Sequence, residues 1–269
     1  MMAARNQVAV PGILGGLGPL AHVELERHLI DESVRRGARG DADHPVWIVI
    51  NATDVPDRTK SLQRLAPDCT PWLVRYGNRL AAAGADFIIV PCNTAHAFYE
   101  PVCRQLRAPW VHLVDETAHH IARAHPRVRK VGVLATDGTL ATGIYERRLR
   151  RFGLRAVAFE LGTDEQARVM QSIYDPTWGV KASSVPGERV RAALVAAARQ
   201  LVERGAEVVV AACTELSVAI AGIEPDAAPW IDPLRVLAST MLDLAFAVPG
   251  RTDEAIDDGH WASLRRVMP

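Results

Sequence analysis

The chain is written twice. Residues 12–29, GILGGLGPLAHVELERHL, lie over residues 132–149, GVLATDGTLATGIYERRL, at a shift of 120, with eight of eighteen columns identical. Residues 84–96, GADFIIVPCNTAH, lie over residues 205–217, GAEVVVAACTELS, at a shift of 121. There the Gly-Ala pair, the acid, the apolar run and the cysteine all keep register. Two separated matches at nearly one offset point to two copies of a single supersecondary unit.

Within each copy, short apolar runs alternate with stretches whose apolar residues recur every three or four positions. Strands are expected at 8–14, 46–50, 86–90, 110–114, 130–134, 154–159, 207–212 and 229–231. Helices are expected between them, for instance AHVELERHLIDESVRRG and GERVRAALVAAARQLVERG. Continuously apolar strands that alternate with helices form parallel sheets covered on both faces, which is the α/β class. The repeat divides the chain into a first lobe, 1–115, and a second, 116–229. The remainder, 230–269, contains the helical pattern DPLRVLASTMLDLAFAV and is expected to pack back onto the first lobe.

Composition removes several classes of function. Lysine and arginine balance aspartate and glutamate at 31 each, so no basic field exists to hold nucleic acid or an anionic membrane. No apolar run is long enough to span a bilayer, and the Pro- and Gly-broken start does not read as a signal peptide, so a cytoplasmic location is expected. Four cysteines without CxxC spacing suggest neither a disulfide framework nor a structural zinc site.

Cys92 and Cys213 occupy the same place in the two copies, just past a strand and before a helix. Ligands of open parallel sheets bind at that edge. If the lobes face each other about a pseudo-two-fold axis, the two thiols approach one small molecule from opposite sides. This suits removal of a proton from one face of a carbon and its return to the other. A thiol titrates near about 8.5, and a helix N-terminus lowers that value, which would ready one cysteine as base and its twin as acid. The alternative is that both are buried core thiols retained from a common ancestor; Cys69 and Cys103, without partners in the repeat, have only that reading.

Other residues gather at the same edge. Asn93, Thr94, His96, Thr214, Glu215 and Ser217 follow the cysteines, either as helix caps or as donors to a substrate carboxylate. GGLGP, containing Gly16 and Leu17, brings bare backbone amides close to a ligand. Its G-x-G-x-x-A match to a dinucleotide fingerprint is weak, because Pro19 removes an amide and no acid directly follows the second strand. NATDVPDRTK follows that strand with Asn51 and Arg58, and Arg58 is either a fork for a carboxylate or a solvated loop residue. Lys181 lies on a Pro-, Gly- and Ser-rich stretch, 173–188, that reads as a lid. Histidines 112, 119, 120 and 125 do not make a metal site, since 119 and 120 face different sides of a helix.

Together GILGGLGPLA, PDRT, PCNTAH, YDPTWGVK and ACTEL resemble the aspartate/glutamate racemase family, and its aspartate racemase branch in particular. The resemblance runs from Gly12 to about Leu216. It implies two Rossmann-like (flavodoxin-like) lobes with the active site between them, and racemisation of an acidic amino acid without a cofactor or metal. Cys92 and Cys213 match the catalytic cysteines, and Arg58 and Lys181 match the basic residues that hold carboxylates. The substrate pocket so drawn takes in Gly16, Leu17, Asn51, Arg58, Asn93, Thr94, Thr136, Lys181, Thr214 and Glu215. Family members are commonly homodimers. Two departures are His22, where the family usually has Thr, and Leu17, where it often has Met. A maleate-isomerase-like use of one cysteine as nucleophile resembles this chain less. A non-catalytic binder of small acids gives no reason for two in-register thiols.

Overall fold

The computed structural model describes residues 7–183, 185–221, 223 and 228–246. The first half runs β1 (Pro11–Gly15), α1 (Pro19–Arg35), β2 (Ile48–Asn51), α2 (Arg58–Leu62), α3 (Thr70–Ala82), β3 (Phe87–Ile89), α4 (Tyr99–Cys103) and α5 (Leu113–Ala124). The second runs β4 (Lys130–Leu134), α6 (Asp137–Ala141), α7 (Ile144–Arg150), β5 (Arg155–Val157), α8 (Asp164–Tyr174), α9 (Glu188–Glu203), β6 (Val208–Ala211), α10 (Thr214–Ile220), β7 (Trp230–Ile231) and α11 (Pro233–Ala245). The fold is α/β with two parallel sheets, in the orders β2-β1-β3 and β5-β4-β6-β7. In each sheet the first strand of the repeat is flanked by the other two that carry it. Both sheets have helices on both faces, so their central strands are buried end to end, as in β1 and β6.

One expected strand is absent. Residues 110–114 make a single parallel bridge, Trp110 to Ile88, and the chain then turns into α5 at Leu113. His112 ends the extended run by capping that helix, its imidazole accepting from the Asp115 N–H at 3.2 Å. The repeat shows the same device: Trp230 pairs with Val209, and Asp232 caps α11 by accepting from the Leu234 N–H at 2.9 Å. The end of the apolar run that reads as a strand is therefore the start of a helix buried on a sheet. The first strand is also shorter than its apolar run, because Val8 and Ala9 both donate to Ala245 O, at 2.8 and 3.3 Å, instead of joining the sheet.

The two capped helices cross over. Leu234, Leu237, Ala238 and Met241 of α11 pack with Ile13, Phe87 and Ile89 of the first sheet. Val114, Ala118 and Ile121 of α5 pack with Val131, Val133 and Val210 of the second. Each half of the repeat thus lends its last helix to the other half's core, and α11 lies along both α1 and α5. Residues 247–269, the end of the segment expected to return to the first lobe, are outside the described residues. No helix among the described residues is long and apolar enough to cross a membrane.

Candidate active site

The strand ends carrying the cysteines meet across the molecule. The Thr214 hydroxyl, one residue past Cys213, donates to the carbonyl of Pro91, one residue before Cys92, at 3.0 Å. Both cysteines are free, and each is only 6 % exposed. Cys213 is the N-cap of α10. Cys92 is followed by Asn93 and a 3₁₀ turn, Thr94–Phe98, rather than by the α-helix expected there.

A charged cluster surrounds them. The Glu215 carboxylate bonds the Lys181 ammonium on one oxygen and accepts from the Cys213 thiol on the other, at 3.0 Å. Burial works against the Lys181 charge, yet Glu215 and then Cys213 hold its pKa above the ordinary lysine value. Burial likewise opposes ionisation of Glu215, but Lys181 outweighs it and keeps the carboxyl below its usual range. Cys213 goes the opposite way from the helix-terminus expectation. Burial first, and the Glu215 carboxylate second, push its thiol well above the usual value, against the pull of Lys181. The dipole of a seven-residue helix is a small effect beside a buried sulfur with a carboxylate at 3.0 Å. Cys213 therefore rests as a thiol.

Arg58, at the start of α2, is 9 % exposed and reaches in from the first lobe. Its guanidinium donates to the carbonyls of Leu17 and, at 3.1 Å, Pro56, and its Nε has no hydrogen-bond partner. Burial disfavours its charge, while Cys92, Asp57 and Glu215 hold it in place. The reading of Arg58 as a solvated loop residue is thereby removed. Lys181 is held just as firmly. Asp175 Oδ1 takes the Thr177 N–H at 2.9 Å and the Trp178 N–H at 3.2 Å, and the fully buried Val180 anchors the 3₁₀ turn that carries the lysine.

The remaining positions divide. Thr94 does not cap a helix; its hydroxyl shares a buried three-threonine cluster with Thr136 at 3.1 Å and Thr139 at 2.8 Å. Thr136 also caps α6. Asn93 Oδ1 accepts from the Tyr145 hydroxyl at 2.6 Å, leaving its amide nitrogen buried and without a partner. Leu17 offers its backbone carbonyl to Arg58, while its side chain packs in the first-lobe core beside Cys92. Asn51 stays exposed at the end of β2. Gly16 has φ +90°, and a Cβ there would meet Ala52 N at 2.5 Å. His22 turns under this loop and accepts from the Gly16 N–H at 3.3 Å, its pKa lowered by burial. Gly18 is needed for another reason: a Cβ there would run into Glu215 and approach Lys181 Nζ to 3.3 Å. Its repeat counterpart Gly138 lies against Thr59 Oγ1, 2.6 Å from where a Cβ would be. Both glycines let a loop of one lobe touch the other lobe.

Sequence reasoning missed Tyr145, Thr139 and Tyr174. Tyr174 lies with its ring 5.5 Å from Lys181 Nζ, and its hydroxyl donates to Asp57 at 3.3 Å. Tyr145 and Thr139 stand on helices without a motif that marks them, whereas Tyr174 opens YDPTWGVK and could have been found from it. Cys103 has the inert character expected of a structural thiol, pushed up to about 12 by burial.

A doubled α/β framework, with a thiol at the same strand end of each half, a first-lobe cation near Cys92 and a second-lobe cation near Cys213, is shared with a two-lobed class of isomerase. The chain belongs to the Asp/Glu/Hydantoin racemase family, whose model matches residues 14–241. It is 26% identical over 242 residues to the broad specificity amino-acid racemase RacX of Bacillus subtilis (strain 168), covering 88% of this chain and 98% of that one. The aspartate racemase of Picrophilus torridus superposes with a TM-score of 0.75 at 25% identity, over 88% of this chain and 94% of that one. A glutamate racemase from Francisella tularensis subsp. tularensis SCHU S4 shares the fold at a TM-score of 0.61 and 15% identity, over 91% and 82% of the two chains.

Proposed function

We propose that this amino-acid racemase acts on aspartate or a related acidic amino acid, without a cofactor, by two-base proton transfer between Cys92 and Cys213. The observation that carries the reading is the Thr214–Pro91 hydrogen bond, which ties together the two loops bearing the cysteines. In this scheme Cys92, beside the Arg58 cation, takes the α-proton from one face of the substrate. Cys213, protonated at rest, delivers its proton to the opposite face. The electron pair left on the α-carbon is delocalised into the substrate carboxylate. The unpartnered Asn93 amide and the backbone N–H groups at the loop starts take up the developing charge. For the other enantiomer the two sulfurs exchange roles. Arg58 and Lys181 hold the substrate carboxylates. The relative named as an aspartate racemase supports this class of substrate.

One observation favours a wider substrate range. Glu215 already neutralises Lys181, so a substrate with a neutral side chain meets a site with one uncompensated cation rather than two. A panel of L-amino acids in D2O, with no cofactor added, separates the readings by the loss of the α-proton signal. Exchange confined to aspartate and its acidic analogues supports the first; comparable exchange of neutral side chains supports the second. Cys92→Ala and Cys213→Ala should each lower racemisation by at least about 10²–10⁴-fold, the usual worth of a general acid or base. Normal racemisation by both variants overturns the two-cysteine scheme. The protein is further proposed to be a homodimer, which sedimentation at micromolar concentration tests directly.

A further inference from the structure

The repeat allows the two lobes to be compared side chain by side chain, and in one place they differ by a whole ring. In the first sheet Gly12 pairs with Ile48, so Trp47 is the residue before that pair on the edge strand. In the second sheet the equivalent Gly132 pairs with Val157, and the residue before it is Ala156. The Trp47 indole packs against the first-sheet core cluster that holds Ile13, Leu25 and Leu29, and its Nε1–H donates to Glu26 at 3.1 Å. The acceptor is duplicated: Glu26 lies over Glu146 at the shift of 120. The indole is not. Two residues on, Val49 of the first lobe corresponds to Ala158 of the second, so the second lobe loses more volume on the same face.

The loss leaves a space. A cavity of about 690 Å³ opens there, with Val133, Tyr145, Ala156, Ala158 and Phe159 among its walls and Glu146 at its edge. That volume lies within the range of small-molecule sites, and its wall mixes apolar side chains with polar and charged ones, Thr139, Glu146, Arg150 and Arg155. Among the described residues Glu146 is engaged by an exposed i,i+4 pair to Arg150 at 2.7 Å, which is of little energetic weight and leaves a carboxylate oxygen for a ligand. The Tyr145 wall continues to Asn93 through its hydroxyl, so the cavity lies behind the loop that carries Cys92.

We propose that this cavity is a binding site for a flat aromatic ring of indole size bearing an N–H donor, with the ring against Ala156 and Ala158 and the N–H on Glu146. The second lobe would then take from solution the group that the first lobe carries as Trp47. This site is separate from the cysteine pair and stands whatever the substrate of the enzyme.

Indole itself is the probe, titrated into the full-length protein and followed by ligand-observed NMR. Saturable binding is expected, with 1-methylindole bound about tenfold more weakly because it lacks the donor to a carboxylate. Glu146→Ala should erase that preference. Ala156→Trp should fill the cavity, abolish indole binding and melt no lower than the wild type. Absence of saturable binding to the wild type, equal binding of indole and 1-methylindole, or binding that survives in Ala156→Trp each overturns the proposal. Should Ala156→Trp fail to fold, the comparison of the two indoles and the Glu146→Ala variant still decide it.

Discussion

At the scale of single residues, the two cysteines are equivalent in sequence and unequal in surroundings. The repeat sets Thr94 over Glu215, so one sulfur has a neutral hydroxyl two residues on and the other has a carboxylate at 3.0 Å. Replacing that carboxylate removes the nearest negative charge from Cys213 and frees the Lys181 ammonium beside it. Both changes favour the thiolate. Glu215→Gln should therefore move the pH at which iodoacetamide alkylates Cys213 downward, by on the order of one unit, as read by peptide mass spectrometry. An unchanged profile would mean that burial alone sets this thiol. Gly18→Ala is a second probe, since its Cβ would displace Glu215 from the place it takes beside the loop. Racemisation should fall well below wild type while the melting temperature stays close to it; full activity would show that Glu215 can move without consequence.

At the scale of elements, the loop after Cys92 is braced by a neutral histidine. His96 Nδ1–H donates to Cys92 O at 2.8 Å, and its Nε2 accepts from the Leu113 N–H, the first residue of α5, at 3.1 Å. Complete burial drops its pKa to about 4, although its bonds to the backbone work the other way. The folded value lies below the unfolded one, about 6.5, so the unfolded chain takes up a proton that the native state refuses. The stability this residue contributes is whole above pH 6.5 and is lost as pH falls through that value towards 4, about 3 kcal/mol in all. Urea unfolding at pH 7.5 and 4.5 should show the loss, and His96→Gln should flatten it. A second element-scale prediction concerns the crossed helices. Leu237 of α11 is fully buried on the first sheet, so Leu237→Ala should cost about 2–5 kcal/mol. A cost below 1 kcal/mol in urea unfolding would mean that α11 is not part of that core.

At the scale of the whole molecule, the exchange of α5 and α11 means that neither half encloses its core without the other. Thermal unfolding should accordingly be a single cooperative transition, with the calorimetric and van't Hoff enthalpies equal. Two resolved transitions would contradict a shared core. Much of this arrangement was legible beforehand. The offset of 120 shows two lobes, the apolar runs show parallel strands, and the spacing of Cys92 and Cys213 puts both sulfurs at matching strand ends. These features are local: side-chain periodicity and repeat register are written along the backbone and survive whatever the chain does farther away. The cover of the second sheet by α5, the partnership of Glu215 with Lys181, and the reach of Tyr145 to Asn93 carry no such trace. The last two join residues 34 and 52 positions apart. Desolvation and close approach, which exist only once the lobes have packed, decide which groups meet and which proton each one keeps.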